Sequence, residues 1–200
     1  MAVGESGKIA RSTDNGSSWI DSSSGSNGTE LRGVAFGNNT FVAVGSSRKV
    51  LRSTDNGSSW SSSSSGVSSD HSLKAVAFGN NTFVAVGDNG KIVRSTNNGA
   101  SWSNVTTGTS PYIYGSNHLR GVTFGNNTFV GVGYTGKIIR STNDGSSWDN
   151  VTAVNSNNLW GVTFGNGTFV AVRSSGTVVK STDNGSSWDN STSGTSNKDY

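Results

Sequence analysis

One nine-residue segment returns five times along this 200-residue chain, and it constrains the fold more than any other feature. Arg11-Ser12-Thr13-Asp14-Asn15-Gly16-Ser17-Ser18-Trp19 has counterparts at 52–60, 94–102, 140–148 and 180–188, the last opening on Lys180. The closing tryptophans, Trp19, Trp60, Trp102, Trp148 and Trp188, stand 41, 42, 46 and 40 residues apart. A second motif, Phe36-Gly37-Asn38-Asn39-Thr40-Phe41, recurs at 78–83, 124–129 and 164–169. Self-similarity at such a period means that each copy is one supersecondary unit that cannot bury its apolar faces alone.

Within one period the pattern is that of four short strands. Residues 31–36 form an apolar run ended by Gly37-Asn38-Asn39, a turn signal. Residues 40–44 form a second run, β-branched and aromatic. Residues 49–53 form a third, ended by Asp55-Asn56-Gly57, and Trp60 opens a fourth that soon becomes serine. We designate these strands A to D. A and B are apolar on both faces, as in a sheet sandwiched between neighbours; D is polar, as suits an outer edge. A period of about 42 residues with four strands predicts an all-β chain, a five-bladed β-propeller of four-stranded antiparallel blades.

The register is offset. Ala2-Val3-Gly4 matches strand B, so the first unit brings only B, C and D, and 196–200 aligns with the residues just before and at the start of strand A. The expectation is one domain over 1–200, with units near 1–30, 31–72, 73–118, 119–158 and 159–200. The ring would close by pairing N- and C-terminal strands, which removes an exposed edge. Failing that, the partial ring would join another copy.

Serine-rich disorder is the competing reading, since 61–65 is all serine. The in-register return of Trp and Phe argues against it. Charged residues are 14%, against about 25% in ordinary domains, so the surface is neutral and hydrogen-bonding. Net charge is +3 with no Lys/Arg run, which speaks against nucleic acid as a partner. Cysteine is absent, excluding disulfides and cysteine-based zinc sites. No apolar run nears the roughly 18 residues of a membrane span, and Met1 to Glu5 lacks the basic and apolar regions of a signal peptide.

The segment Ser12-Thr13-Asp14-Asn15-Gly16-Ser17-Ser18-Trp19 resembles the Asp-box (BNR) motif, Ser-x-Asp-x-Gly-x-Thr-Trp, with Ser18 in the Thr position. The copies at 53–60 and 181–188 match equally; Asn97 and Asn143 replace the Asp in the other two. With Phe-Val-Ala-Val-Gly and Arg-Ser-Thr-Asp-x-Gly, the whole repeat is similar to bacterial Asp-box and photosystem-assembly-factor (Ycf48-like) propellers. The resemblance implies that the boxes are structural and lie away from any active site. The residues say the same: Asp or Asn accepts hydrogen bonds from its own turn, Gly takes positive φ, and Trp covers the turn. Asp14, Asp55, Asn97, Asn143 and Asp183, with the five tryptophans, are therefore expected to be turn staples.

The resemblance also raises sialidase chemistry, which needs an arginine triad, a Tyr–Glu pair and an acid Asp. Only Glu5 and Glu30 are glutamates, and Arg11, Arg52, Arg94 and Arg140 repeat by position, as a structural ring would. A glycosidase carboxylate pair at defined separation is not recognisable. His71 and His118 lack the partners of a triad or zinc site and read as plain loop histidines. Gly133-Tyr134-Thr135-Gly136-Lys137 has the wrong glycine spacing for a phosphate loop, and the Asp-Asn-Gly turns lack the bidentate Glu of a calcium loop. The expectation is a protein that is not an enzyme and carries no metal or cofactor.

The A–B and C–D turns barely vary between units, whereas the B–C and D–A loops do. In a propeller each pair shares a face, and loops on a rigid scaffold carry function. The longest D–A loop, 107–118, holds the sole proline, Pro111, with Tyr112 and Tyr114. Tyr112, Tyr114, Tyr134, Trp160, Arg120 and His118 are the candidate ligand-binding residues, with Trp160 standing where other units have Arg32, Lys74 or Arg120. The expected role is a binding or display module: lectin-like with a carbohydrate ligand, or a structural module that docks proteins on a virion, tail or cell surface, alone or as a homo-oligomer. Sequons at Asn38, Asn80 and Asn126 sit in tight turns too crowded for glycans, which favours a bacterial or phage source and an extracellular or virion-associated setting.

Overall fold

The computed structural model of the chain describes residues 1–22, 28–66, 71–105, 117–151 and 156–191. Among them are four four-stranded antiparallel sheets and one three-stranded sheet. Blade I has strands B, C and D only, Ala2–Val3, Ile9–Arg11 and Ile20–Asp21. Blade II is Leu31–Gly37, Thr40–Gly45, Val50–Ser53 and Ser61–Ser62. Blade III is Leu73–Gly79, Thr82–Gly87, Ile92–Ser95 and Ser103–Val105. Blades IV and V repeat this from Leu119–Gly125 to Asp149–Val151 and from Leu159–Gly165 to Asp189–Ser191. Strand D is shorter than the pattern suggests, and Trp60 precedes it rather than opening it.

The A–B hairpins are two-residue turns in which Asn38 and Asn39 both take positive φ (47° and 55°) while Gly37 pairs with Thr40. That mirror-image turn matches the twist of the flanking strands, and Asn is among the few non-glycine residues that adopt it readily. In the box hairpin, Asp14 Oδ1 accepts from Ser18 N (2.9 Å) and Ser12 Oγ (2.7 Å), and Oδ2 accepts from Ser18 Oγ (2.6 Å). Trp19 Nε1 donates to Gly16 O at 3.1 Å. Asn97 and Asn143 make the same brace; their amide nitrogens donate to Ser101 and Ser147 Oγ instead of accepting.

The core lies between blades, not within them. Val42, Val44 and Val50 of blade II pack with Leu73, Val76, Phe83 and Trp102 of blade III. Equivalent layers join blades III and IV, and IV and V. Three kinds of contact seal the junctions, the second of them only at the three junctions from blade II onward. The box tryptophan lies over the preceding blade. The strand A phenylalanine lies on the preceding blade's glycine, so a Cβ built on Gly37, Gly79 or Gly125 would meet Phe78, Phe124 or Phe164 at 2.1 Å. A strand C arginine reaches forward: Arg11, Arg52, Arg94 and Arg140 Nε donate to the carbonyls of Asn56, Asn98, Asp144 and Asn184 at 2.5–2.7 Å. Asn56, Asn98, Asp144 and Asn184 are the positive-φ residues of the boxes. The ring of arginines expected from the repeat is thus a set of inter-blade clasps.

The junction that would close the ring is not formed among the described residues. Trp19 is 49% exposed, whereas Trp102, Trp148 and Trp188 are 7%, 5% and 5% exposed. Gly165 has nothing within 4 Å of its Cβ position, and Phe36, preceded by a blade with no strand A among the described residues, is half exposed. Closure through a C-terminal strand was expected of 196–200, which lies outside the described residues.

The box carboxylates set an acid limit on this arrangement. The Ser18 hydroxyl, Ser18 N–H and Ser12 hydroxyl hold Asp14 at a pKa of about 2. Ser187 hydroxyl, Ser187 N–H and Ser181 hydroxyl hold Asp183 at about 2, and Ser59 and Ser53 depress Asp55 in the same way. A folded-state pKa below the unfolded value near 3.9 stabilises the fold at higher pH, and that contribution is lost as pH falls from there toward 2. Asn97 and Asn143 do not titrate. Hydrogen exchange at pH 4 and pH 2 is therefore expected to loosen hairpins 12–19, 53–60 and 181–188 selectively, leaving 95–102 and 141–148 protected. Asp55→Asn should remove the acid sensitivity of its own hairpin.

Candidate functional site

The second residue of every strand A is a β-bulge. Register slips between Leu31 and Gly33, Leu73 and Ala75, Leu119 and Gly121, and Leu159 and Gly161. The extra residues are Arg32, Lys74, Arg120 and Trp160. A bulge leaves a residue out of the ladder and re-aims its side chain. Here it sends four variable side chains to the face that carries the B–C and D–A loops, opposite the Asn turns and boxes. That opposite face is held by Asn38 Nδ2 to Asn98 Oδ1 (3.1 Å), Asn80 Nδ2 to Asp144 Oδ1 (3.0 Å) and Asn126 Nδ2 to Asn184 Oδ1 (2.7 Å).

Three bulge residues meet the B–C turn of their own blade. Arg32 Nη2 pairs with Glu30 at 2.6 Å and its Nε donates to Ser46 Oγ at 3.2 Å. Lys74 Nζ lies 3.2 Å from Asp88 Oδ2. The Arg120 guanidinium lies 4.5 Å from the Tyr134 ring centroid and 5.4 Å from that of Trp160, and Arg120 Nη2 donates to the Tyr134 hydroxyl. Tyr134 and Trp160 meet edge to face at 5.6 Å, and His118 sits edge to face on Tyr134 at 5.4 Å. The trio Arg120, Tyr134 and Trp160 thus spans blades IV and V, with Trp160 46% exposed.

His118 extends the group to blade III. Its Nδ1 lies 2.9 Å from Asp88 Oδ1, donating to the carboxylate when it carries the proton. Asn89 Nδ2 reaches His71 Nε2 at 2.9 Å. Burial raises the Asp88 pKa, but hydrogen bonds and charge from Lys74 and His118 outweigh it, so the carboxyl titrates below its ordinary value. His118, read from the sequence as a loop histidine and as a candidate binding residue, thus has a carboxylate and an aromatic ring as neighbours. Among the described residues no group of three or more His, Cys, Asp or Glu is placed to hold a metal ion.

Of the candidates read from the sequence, His118, Arg120, Tyr134 and Trp160 come together as one cluster. Tyr112 and Tyr114 fall outside the described residues. Sequence reasoning missed Asp88, Lys74 and Asn89. Their signal was available: Asp88-Asn89-Gly90 is one of the variable B–C turns, and Lys74 shares the bulge position with Arg120.

Solved structures similar to this chain are propellers of several kinds. Ycf48 bound to D1 peptide superposes with a TM-score of 0.69 at 19% identity, over 94% of this chain and 61% of that one. A catalytically inactive virginiamycin B lyase from Staphylococcus aureus with quinupristin gives 0.75 at 18% identity, over 92% and 62%. The GH74 enzyme of Niastella koreensis gives 0.64 at 27% identity, over 92% of this chain but 28% of that one. This chain therefore spans less than two thirds of each of those proteins. No curated protein matches it in sequence. Residues 16–130, more than half of the chain, match the DUF6242 β-propeller domain, and the chain belongs to that family of β-propeller domains.

Proposed function

We propose that this propeller is a non-catalytic docking module that holds a segment of a partner protein on its loop face, anchored by Arg120, Tyr134 and Trp160. The observation that carries the reading is the stack itself: one guanidinium held against two aromatic rings, with the indole half exposed. Arg, Tyr and Trp are the residues most enriched among binding hot spots, bringing large contact area and directional hydrogen bonds. The similar Ycf48 structure with a bound peptide supports a protein ligand over others. We read the five hairpins as Asp-boxes used for bracing. The carboxylates of Asp14, Asp55 and Asp183 are already occupied by the serines of their own turns, which suits a staple and not a catalytic acid.

A carbohydrate ligand is the second reading, favoured by the flat, half-exposed indole of Trp160 on a surface poor in charge. Screening the chain in parallel against a displayed peptide library and a glycan array separates the two. Peptide binders are expected, and Arg120→Ala or Trp160→Ala should weaken them at least about tenfold, the loss typical of a hot-spot residue. Glycan binders alone, or peptides indifferent to both substitutions, would overturn the peptide reading.

A further inference from the structure

The bulge cations of strand A are matched differently from blade to blade. In blade II the Arg32 guanidinium has a carboxylate, Glu30 Oε2 at 2.6 Å, and its Nε donates to Ser46 Oγ. In blade III the Lys74 ammonium has Asp88 Oδ2 at 3.2 Å. In blade IV the residue that meets the cation is a neutral phenol. Arg120 Nη2 donates to the Tyr134 hydroxyl, and Arg120 Nε is buried with no hydrogen-bond partner. Among the described residues no carboxylate pairs with Arg120. Nor do the loop-face segments of blades IV and V, 106–118, 134–137, 152–158 and 174–177, hold any Asp or Glu, whereas Lys137 closes the B–C turn of blade IV. Asp88, the carboxylate that reaches His118 from blade III, is already held by Lys74 and His118.

We infer, on the reading that a peptide docks on this face, that the docked segment presents a side-chain carboxylate, an Asp or a Glu, to the Arg120 guanidinium. Blades II and III show what such a position takes: the group on the bulge cation is one side-chain carboxylate, Glu30 in the first and Asp88 in the second. Blade IV keeps the cation and leaves out the acid. A guanidinium drawn partly out of water without a counter-charge has lost hydration that only an acceptor replaces. Tyr134 and Trp160 hold it in place, their ring centroids 4.5 and 5.4 Å from its central carbon. A fork positioned in this way meets a carboxylate with little further loss of freedom. The charge-assisted hydrogen bonds that result are about twice as strong as neutral ones. With no acid on the loop segments of blades IV and V, nothing there competes with the ligand for the guanidinium or repels its charge.

The test begins with a displayed library of random peptides selected on the full chain. Enriched sequences are expected to share an Asp or Glu at a fixed position. For one such peptide, replacing that acid by its amide should weaken binding about tenfold or more, the worth of a charge-assisted hydrogen bond, as read by fluorescence anisotropy. Amidation of the peptide's C-terminus should leave affinity unchanged. Arg120→Gln should bind the acidic peptide and its amide counterpart alike. That ratio isolates the charge contact from any general loss of packing at the site. Arg120→Lys keeps the charge and should keep a preference for the acid, and it decides the matter if Arg120→Gln does not fold. Four results would overturn the inference and leave the peptide reading standing: binders that lack an acid, binders whose needed carboxylate is the chain terminus, a ratio that Arg120→Gln preserves, or a preference that Arg120→Lys abolishes. The absence of any peptide binder would overturn both.

Discussion

Gly79→Ala is expected to cost about 3 kcal/mol or more of folding free energy, the upper end of what overpacking costs. The same change at the corresponding position of the last blade, Gly165→Ala, should stay within about 0.5 kcal/mol. Both glycines close a strand A, and neither has a positive φ, so alanine is conformationally acceptable at each. Any gain from restricting the unfolded chain is shared by the two. What differs is the neighbour. A Cβ on Gly79 would stand 2.1–2.4 Å from three ring carbons of Phe124, while nothing lies within 4 Å of the equivalent point on Gly165. Phe124 in turn packs on Phe129 at 4.6 Å, which restricts how the ring can move aside. Urea unfolding of the two variants measures the difference directly. A Phe124→Ala background should absorb most of the Gly79→Ala cost, as expected for residues in direct contact. Equal costs at the two positions would show that the phenylalanine-on-glycine seal is not what holds successive blades together.

The repeat made strands, hairpin turns and blade order readable because those features recur in every copy. Gly37-Asn38-Asn39-Thr40 reports a two-residue turn wherever it stands, and Ser-x-Asp/Asn-x-Gly with its tryptophan reports a braced hairpin. Arg52 was recognisable as part of a structural ring, but not its acceptor: Asn98 is 46 residues away, and only the packing of one blade on the next brings its carbonyl to the guanidinium. The site was half legible for a related reason. Tyr134, Trp160 and His118 stood out as departures from the repeat, and Arg120 by its place at the variable second position of strand A. Asp88 and Lys74 are ordinary loop and strand residues until the bulge in strand A turns Lys74 toward the B–C turn and blade IV delivers His118 to the same carboxylate. Periodicity shows what every blade shares, whereas a site made where loops of neighbouring blades meet depends on what they do not share.

Trp148→Ala is expected to destabilise the fold by about 3–5 kcal/mol, the usual cost of removing a buried large aromatic side chain, and to change the way the chain unfolds. Trp148 is 5% exposed and packs in the layer that contains Val84, Val86 and Ile92 of blade III and Leu119, Phe129 and Ile139 of blade IV. Its Nε1 donates to Gly145 O at 3.2 Å, so truncation also removes one brace of the hairpin that receives the Arg94 clasp. In an array where each unit is stabilised mainly through its neighbours, weakening one internal junction lowers the coupling between the halves on either side. Denaturant unfolding followed by hydrogen exchange should show blades I–III and IV–V losing protection in separate steps in the variant, and closer together in the parent. Trp19→Ala is the control, with the same residue, box and Nε1-to-carbonyl bond but an indole half exposed at the end of the array. Its cost should be well under half that of Trp148→Ala, with no splitting of the transition. A comparable loss at both positions would mean that the tryptophan stabilises its own hairpin more than the joint between blades, and that the array is held mainly by the phenylalanine seals and arginine clasps.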